Sequence, residues 1–151
     1  MSTTVKTPTK VVVCPNCSTK NRVPAAAAGT PRCGNCQSPL PWVVDTSDAE
    51  FAAVVDDSTI PVLVDVWAPW CGPCRMVSPA LEQLATELAG RLKLAKVNAD
   101  EAPEVSRRFE VQAIPTLVIL DHSKVVDRQV GALPEHRLRS WLEVKLPKRP
   151  G

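Results

Sequence analysis

Six cysteines in three C-x-x-C pairs are the feature that most constrains what this chain can fold into. The pairs are Cys14/Cys17, Cys33/Cys36 and Cys71/Cys74, and they use every cysteine among the 151 residues. In a secreted chain six cysteines would indicate three disulfides. The N-terminus holds only a short apolar run, too little for a signal peptide, and no stretch is long enough to span a bilayer. We therefore expect a cytoplasmic protein that does not enter membranes, whose paired cysteines are metal ligands or redox catalysts.

Charge and proline content divide the chain into two unlike parts. Residues 1–44 contain five basic residues and no acidic one, whereas the remainder holds all 16 acidic residues and the other 13 basic ones. The first part is also rich in proline, which favours turns and short strands. A unit this small needs a metal or cross-links to stay folded. We predict a module over residues 1–41 and a second domain over residues 42–151.

The first two pairs have the spacing of a metal site. Cys14, Cys17, Cys33 and Cys36 form C-x2-C-x15-C-x2-C, which is typical of a zinc ribbon. Four thiolates complete the tetrahedron of a structural zinc ion and leave no open position for catalysis. Gly34 is expected to give the second turn an unusual φ. We expect one structural zinc ion per chain; two local disulfides, two unrelated thiol pairs or a second redox centre are the alternatives.

The third pair lies where a hydrophobic strand, predicted over 62–67, meets a helix, predicted over 73–88. Unpaired N–H groups and the positive end of the helix dipole stabilise a thiolate there, and the thiolate is the nucleophilic form of cysteine. We expect Cys71 to be an exposed nucleophile and Cys74, one turn further on, to be more buried and to resolve the mixed disulfide. A third metal half-site or a local structural disulfide is the alternative.

The rest of the chain alternates between strand and helix patterns, which predicts an α/β fold. Further strands are expected over 40–44, 92–97, 116–120 and 125–130, and further helices from Ser47 and over 103–109 and 134–146. Glu50, three residues after Ser47, is expected to complete a capping box. The last two strands are close enough in sequence to form an antiparallel hairpin.

The segment W-C-G-P-C at 70–74 resembles the active-site signature of the thioredoxin family, and the resemblance covers about 40–146. It includes several further motifs, among them a strand with a buried aspartate, a strand with a lysine, a cis-proline loop and a groove glycine. In the same order, these motifs lie at 64–67, 95–98, 113–116 and 130–132. Segments 14–17, 21–24 and 32–36 resemble the zinc module of the thioredoxin 2 subfamily. Val66 departs from the family, because many members have Phe there.

The resemblance implies a thioredoxin fold, a central mixed sheet flanked by helices, with a small N-terminal zinc ribbon. It implies a protein-disulfide reductase that is recycled by thioredoxin reductase and acts on disulfide-containing client proteins. Asp65, desolvated in its strand, would act through water as the general base for Cys74, and Lys96 would partly offset that desolvation. Substrate contacts are implied for Trp70, Gly72, Pro73, Ile114, Pro115 and Gly131.

Other function classes leave weaker signals. The sequence lacks both G-x-G-x-x-G and G-x-x-x-x-G-K-[ST], so we expect no bound nucleotide and electrons supplied by a partner. Five cations without interleaved aromatic residues are a weak signal for nucleic-acid binding. The alternatives are a redox-regulated module that loses zinc on oxidation and holds unfolded clients, and a nucleic-acid-binding ribbon fused to a redox sensor. We expect a monomer.

Overall fold

The computed structural model describes residues 9–27 and 30–147, so parts of both predicted units lie outside the described residues. Its N-terminal part is an antiparallel hairpin of β1 (Thr9–Val13) and β2 (Lys20–Pro24). A further bridge joins Arg32 to Pro39. Short strands and turns therefore dominate the proline-rich segment, as its composition predicts.

A mixed five-stranded sheet forms the centre of the rest of the chain. Its strands are β3 (Val43–Thr46), β4 (Val62–Trp67), β5 (Lys93–Asn98), β6 (Thr116–Asp121) and β7 (Lys124–Val130). The order is β3-β5-β4-β6-β7, with β3, β5 and β4 parallel and β6 and β7 antiparallel. The predicted mixed sheet and its closing hairpin are confirmed.

Among the described residues, three α-helices flank the sheet: α1 (Gly72–Glu87), α2 (Pro103–Arg108) and α3 (Glu135–Lys145). Apolar residues of α1 and α3, such as Leu81 and Leu138, pack on one face of the sheet against Leu63. Alternate strand residues point to opposite faces, so Val64 packs on the other face with residues of α2 and of the N-terminal hairpin. None of the described helices is long and apolar enough to cross a membrane.

The elements at the start of the sheet differ from those expected. The strand expected over 40–44 begins at Val43, and Leu40 is buried in the core shared with the N-terminal hairpin. The helix expected from Ser47 is a single π-helical turn, Ala52–Asp56, with no side-chain cap. The backbone N–H of Glu50 donates to the carbonyl of Ser47 at 3.2 Å, which closes a turn where the capping box was expected.

Candidate functional site

Cys71 and Cys74 form a disulfide at the first turn of α1, with their Cα atoms 5.3 Å apart. Cys71 is the N-cap of α1, and its Sγ accepts a hydrogen bond from the backbone N–H of Cys74 at 3.2 Å. Pro73 fits the first turn because the N–H that it lacks would have no partner in the helix. The sulfur of Cys71 therefore lies where the helix N-terminus stabilises negative charge.

Both sulfur-bearing residues are buried in this disulfide form, Cys71 at 5% exposure and Cys74 at 3%. The expectation that Cys71 is exposed is therefore wrong for the oxidised protein. Cys71 is buried because it packs, together with Cys74, against Ala68, Trp67 and Ile114. In the disulfide form the two cysteines differ in their position along the helix and hardly at all in burial.

A cis-proline loop closes over the disulfide. The Ile114–Pro115 peptide bond is cis, as the resemblance implies, and the carbonyl oxygen of Ile114 lies 3.9 Å from Cys71 Sγ. The carbonyl of Pro115 accepts a hydrogen bond from the N–H of Gly131 at 2.8 Å. Gly131 has a φ of +97°, which favours glycine. The fold thus brings together three segments that are far apart in sequence.

Trp70 lies at the surface beside the disulfide, with 69% exposure. Its indole Nε1 donates to both carboxylate oxygens of Asp100, at 3.0 and 3.2 Å. The side chain of Asn98 accepts from the N–H of Asp100 at 3.0 Å and so fixes the acidic partner. Asp100 was not among the predicted site residues, and its position just after β5 was the available signal.

Asp65 is a buried carboxyl beneath α1, with 1% exposure. Burial raises its pKa to about 6; the positive charge of Lys96 works against the rise, and the negative charge of Glu82 adds to it. Its Oδ1 has no hydrogen-bond partner among the described residues. A small cavity of about 70 Å³ adjoins this carboxyl and Cys74, which is more space than one water molecule needs.

Lys96 reaches the same cavity from β5. Its Nζ donates to Ser78 Oγ at 2.8 Å and lies 5.6 Å from the ring centroid of Trp67. Among the described ion pairs none joins Lys96 to Asp65, although the two residues pair directly between β5 and β4. Lys96 therefore acts on the carboxyl through its charge and not through a direct contact.

The other four cysteines converge in the N-terminal part. The sulfurs of Cys14, Cys17, Cys33 and Cys36 all lie within 4.8 Å of one another, and none is in a disulfide. The closest described pairs join the two motifs, Cys14 to Cys36 at 3.6 Å and Cys17 to Cys33 at 3.5 Å. A tetrahedral ion with metal–sulfur bonds of about 2.3 Å would separate its sulfurs by about 3.8 Å. The donor set fits such an ion.

The two cysteine turns have equivalent backbones. Ser18 N–H donates to the carbonyl of Cys14, and Gln37 N–H to the carbonyl of Cys33. Ser18 and Gln37 are left-handed, with φ of 64° and 66°. The unusual φ expected at Gly34 is therefore wrong, because the left-handed residue follows each pair instead. The backbone N–H of Gly34 instead donates a hydrogen bond to the side-chain oxygen of Asn21 at 2.9 Å.

Asparagine side chains surround the sulfurs and were not predicted to do so. Asn16 donates to Cys36 Sγ at 3.4 Å, and Asn35 to Cys17 Sγ at 3.5 Å. Hydrogen bonds led by that of Asn16 lower the pKa of Cys36 to about 5, and bonds from Thr19 and Asn35 lower that of Cys17 to about 7. These bonds favour the thiolate forms of Cys17 and Cys36, and the thiolate is the form of cysteine that binds a metal. The presence of Asn inside both C-x-x-C turns was the available signal.

Lys93, at the start of β5, is a buried lysine that the sequence analysis missed. It is 1% exposed, and its Nζ donates to the carbonyl of Val54 at 2.6 Å and to that of Ala25. The ammonium lies 3.9 Å from the ring centroid of Trp42. Burial lowers the pKa of Lys93 to about 8. Lys93 shares its strand face with buried Val97, and this alternation was the available signal.

The contacts of Lys93 and Trp42 join the N-terminal part to the sheet. Trp42 is also buried, and its Nε1 donates to the carbonyl of Pro24 at 3.0 Å. Lys93 pairs with Val62 at the first residue of β4, whereas Cys71 follows the last residue of that strand. The contacts of Lys93 with Ala25 and Trp42 therefore lie at the end of the sheet opposite the disulfide.

Comparison with known proteins identifies close relatives. A family model described as Thioredoxin matches residues 42–144. The protein named "Thioredoxin C-3" from Corynebacterium nephridii is 37% identical over 144 residues, which cover 93% of this chain and 99% of the relative. "Thioredoxin" from Haemophilus influenzae is 46% identical, and "Thioredoxin 1" from Nostoc sp. 47%; each match covers 66% of this chain and 94% of the relative. The Corynebacterium match is long enough to extend into the N-terminal cysteine segment.

Proposed function

This chain belongs to the thioredoxin family and is a protein-disulfide reductase, and from that premise we propose that Cys71 is the nucleophile and Cys74 the resolving thiol. The observation that carries the proposal is the position of the pair. Cys71 caps α1, where it accepts the N–H of Cys74, and it faces the Ile114 carbonyl at 3.9 Å. A client disulfide that reaches this edge meets the sulfur that the helix N-terminus activates.

The proposed reaction has two exchange steps. The Cys71 thiolate attacks one sulfur of the client disulfide, forms a mixed disulfide and releases the other client sulfur as a thiolate. Cys74, once deprotonated, attacks Cys71 Sγ and releases the second client thiolate. The client gains two electrons, which the Cys71–Cys74 dithiol loses, and the released thiolates take protons from solvent.

We assign the deprotonation of Cys74 to Asp65. Both groups line the same cavity of about 70 Å³, so one or two water molecules could carry the proton between them. A carboxyl with a pKa of about 6 is mostly ionised at pH 7 and is a stronger base than an ordinary aspartate. Lys96 is a positioning residue, because its positive charge favours the ionised carboxylate of Asp65 and so limits the rise in its pKa that burial causes.

The client is proposed to lie across the exposed edge beside the disulfide. Trp70 offers an apolar surface, and Gly72 has open space around it, since an added Cβ would meet nothing within 4 Å. The backbone of Ile114 provides polar groups next to Cys71. The remaining members of the proposed contact surface are Pro73, Pro115 and Gly131.

The four-cysteine cluster is proposed to hold one structural zinc ion. Zinc would supply a cross-link between the two cysteine turns, and the asparagine side chains would stabilise the thiolates that bind it. The division into a module over 1–41 and a catalytic domain over 42–151 is part of this proposal. Its support is the hairpin fold before Trp42 and the separate sheet after it.

Thioredoxin reductase is the proposed electron donor that restores the dithiol, using NADPH. The expected cytoplasmic location, the monomeric state and the absence of nucleic-acid binding stay predictions. So does the alternative function, a zinc-based redox-regulated binding module. That module would bind clients without Cys71, which separates it from the proposed reductase.

Reduction of insulin disulfides tests the proposal. The wild-type protein, kept reduced by dithiothreitol or by thioredoxin reductase with NADPH, is expected to precipitate reduced insulin chains, and Cys71→Ser is expected to abolish this activity. Cys14→Ser is the matched control, because it removes an equally buried cysteine from the other site and should largely spare turnover. Full turnover by Cys71→Ser would overturn the assignment.

A further inference from the structure

Three polar residues of α1, Cys74, Ser78 and Glu82, are spaced four residues apart and so lie along one side of the helix. Cys74 and Ser78 line the cavity of about 70 Å³ that adjoins Asp65, and the negative charge of Glu82 acts on that carboxyl. Cys74 is the resolving thiol of the proposed reaction. Ser78 also faces the cavity, and the proposed reaction gives it no part.

The hydroxyl of Ser78 binds the ammonium of Lys96. Lys96 Nζ donates to Ser78 Oγ at 2.8 Å, a bond that joins β5 to α1 at the wall of the cavity. The same ammonium lies 5.6 Å from the ring centroid of Trp67. Lys96 is therefore held between a neutral hydroxyl and the face of an aromatic ring.

Asp65 is a stronger acceptor that this ammonium does not contact. Asp65 and Lys96 are register partners on β4 and β5, and neighbouring strands lie about 4.8 Å apart, so the lysine side chain is long enough to reach the carboxylate. Asp65 Oδ1 nevertheless has no hydrogen-bond partner in the described part of the chain. A hydrogen bond between two ions is about twice as strong as one between neutral groups. The Ser78 hydroxyl is thus the group that competes with Asp65 for the ammonium.

The other groups that face Asp65 do not take the place of Lys96. Arg75 also lines the cavity, but its guanidinium Nε donates to a backbone carbonyl at 3.0 Å. Glu82 is exposed, and its negative charge disfavours the ionised carboxylate. Leu117, opposite Asp65 on β6, is apolar. Within the described ranges, Lys96 is therefore the cation whose position determines how strongly the Asp65 carboxylate is stabilised.

We propose that Ser78 is a positioning residue for the step in which Cys74 resolves the mixed disulfide. Its hydroxyl holds the Lys96 ammonium away from Asp65, and the carboxylate therefore remains a base that takes the Cys74 proton through water. The inference rests on the proposed reductase function, in which Asp65 is that base.

The effect of losing this anchor follows from the charge of the lysine. Without the Ser78 hydroxyl, the Lys96 ammonium is free to pair with the Asp65 carboxylate. An opposite charge in direct contact lowers the pKa of a carboxyl by about 1 to 3 pH units. A carboxylate of lower pKa is a weaker base, so it takes a thiol proton less readily.

The test compares Ser78→Ala, which removes the hydroxyl, with Ser78→Thr, which retains it. Alanine is the best helix former, so Ser78→Ala is expected to fold. Ser140→Ala is the matched control, because the Ser140 hydroxyl lies on α3 and donates to the backbone carbonyl of His136 in its own helix. Ser78→Ala is also made in a Lys96→Met background, which shows whether its effect passes through the ammonium.

Two quantities are measured in each variant. The pKa of Asp65 is followed by carbon-13 NMR of the oxidised protein, in which Cys74 does not titrate. The pH profile of the resolving step is followed in single turnovers of reduced protein with 5,5′-dithiobis(2-nitrobenzoate), as release of the second thionitrobenzoate.

Ser78→Ala is expected to lower the pKa of Asp65 by about one pH unit or more and to move the acidic limb of the resolution profile down by the same amount. Ser78→Thr and Ser140→Ala should leave both unchanged, and in the Lys96→Met background Ser78→Ala should have no effect on either.

An Asp65 pKa that is equal in Ser78→Ala and wild type would overturn the proposal. An equal fall in the Lys96→Met background would overturn it too, because Ser78 would then act on the carboxyl without the lysine. A fall in this pKa with an unmoved resolution profile would also overturn it, since Asp65 would then not be the base for Cys74. A wild type that reduces neither insulin nor 5,5′-dithiobis(2-nitrobenzoate) would instead refute the reductase function itself.

Discussion

Replacing Asp65 with asparagine is expected to stabilise the oxidised protein at neutral pH. The carboxyl is 1% exposed, and burial raises its pKa from 3.8 to about 6. A shift of that size corresponds to about 3 kcal/mol of unfavourable ionisation in the folded state. Asparagine has nearly the same shape and carries no charge, so it removes this cost.

The sign of the pH dependence follows from the direction of the shift. The folded protein binds the proton more tightly than the unfolded chain does, so stability falls as pH rises from about 4 to about 6 and is constant above. The difference in the free energy of unfolding between Asp65→Asn and wild type should therefore grow by about 2.4 kcal/mol between pH 4 and pH 7. The oxidised form is used so that Cys74 does not titrate.

Urea unfolding at a series of pH values, followed by circular dichroism, measures this difference. Asp45→Asn is the control, since Asp45 is an exposed carboxylate on β3 and its loss also removes one negative charge. A difference between Asp65→Asn and wild type that is constant from pH 4 to pH 7 would refute the reasoning. The same variant is expected to resolve mixed disulfides more slowly, because it lacks the base proposed for Cys74.

Two further predictions concern the buried Lys93 and the separation of the two cysteine sites. Burial lowers the pKa of Lys93 from 10.5 to about 8, so the free energy of unfolding of the wild type should rise by at most about 3 kcal/mol as the pH increases from 8 to 10.5. Urea unfolding of Lys93→Met should lack this rise, and an equal rise in the variant would contradict the buried position of the ammonium. Reduced protein should contain one zinc ion per chain, and mild oxidation should remove the Cys71 and Cys74 thiols before zinc is released. Thiol titration follows the thiols, and a zinc-binding dye follows the released metal. Zinc release in step with the loss of the first two thiols would contradict separate sites.

Much of the fold could be predicted because its elements repeat simple patterns. Apolar residues at helical spacing predicted α1, and the short connection between β6 and β7 predicted their pairing. The capping box at Ser47 failed because a backbone hydrogen bond from Glu50 closes the turn, and backbone competition of this kind leaves no mark in the side-chain sequence.

The site was predictable where chemistry needs fixed spacing and less so where it depends on packing. The C-x-x-C spacing located both cysteine sites. Lys93 was missed because a lysine in a strand is usually exposed, and this one is buried by contacts with Ala25, Val54 and Trp42, which are all distant in sequence. The burial of Cys71 likewise results from a loop that is more than 40 residues away in sequence, at Ile114.

The central claim, that Cys71 is the sulfur that attacks clients, is tested most directly by trapping the mixed disulfide. A Cys74→Ser variant is incubated with a peptide disulfide, and the covalent product is digested and mapped by mass spectrometry. The expected result is one peptide per chain, attached at Cys71. Attachment to one of the four cysteines of the N-terminal cluster, or no adduct from a folded variant, would contradict the account.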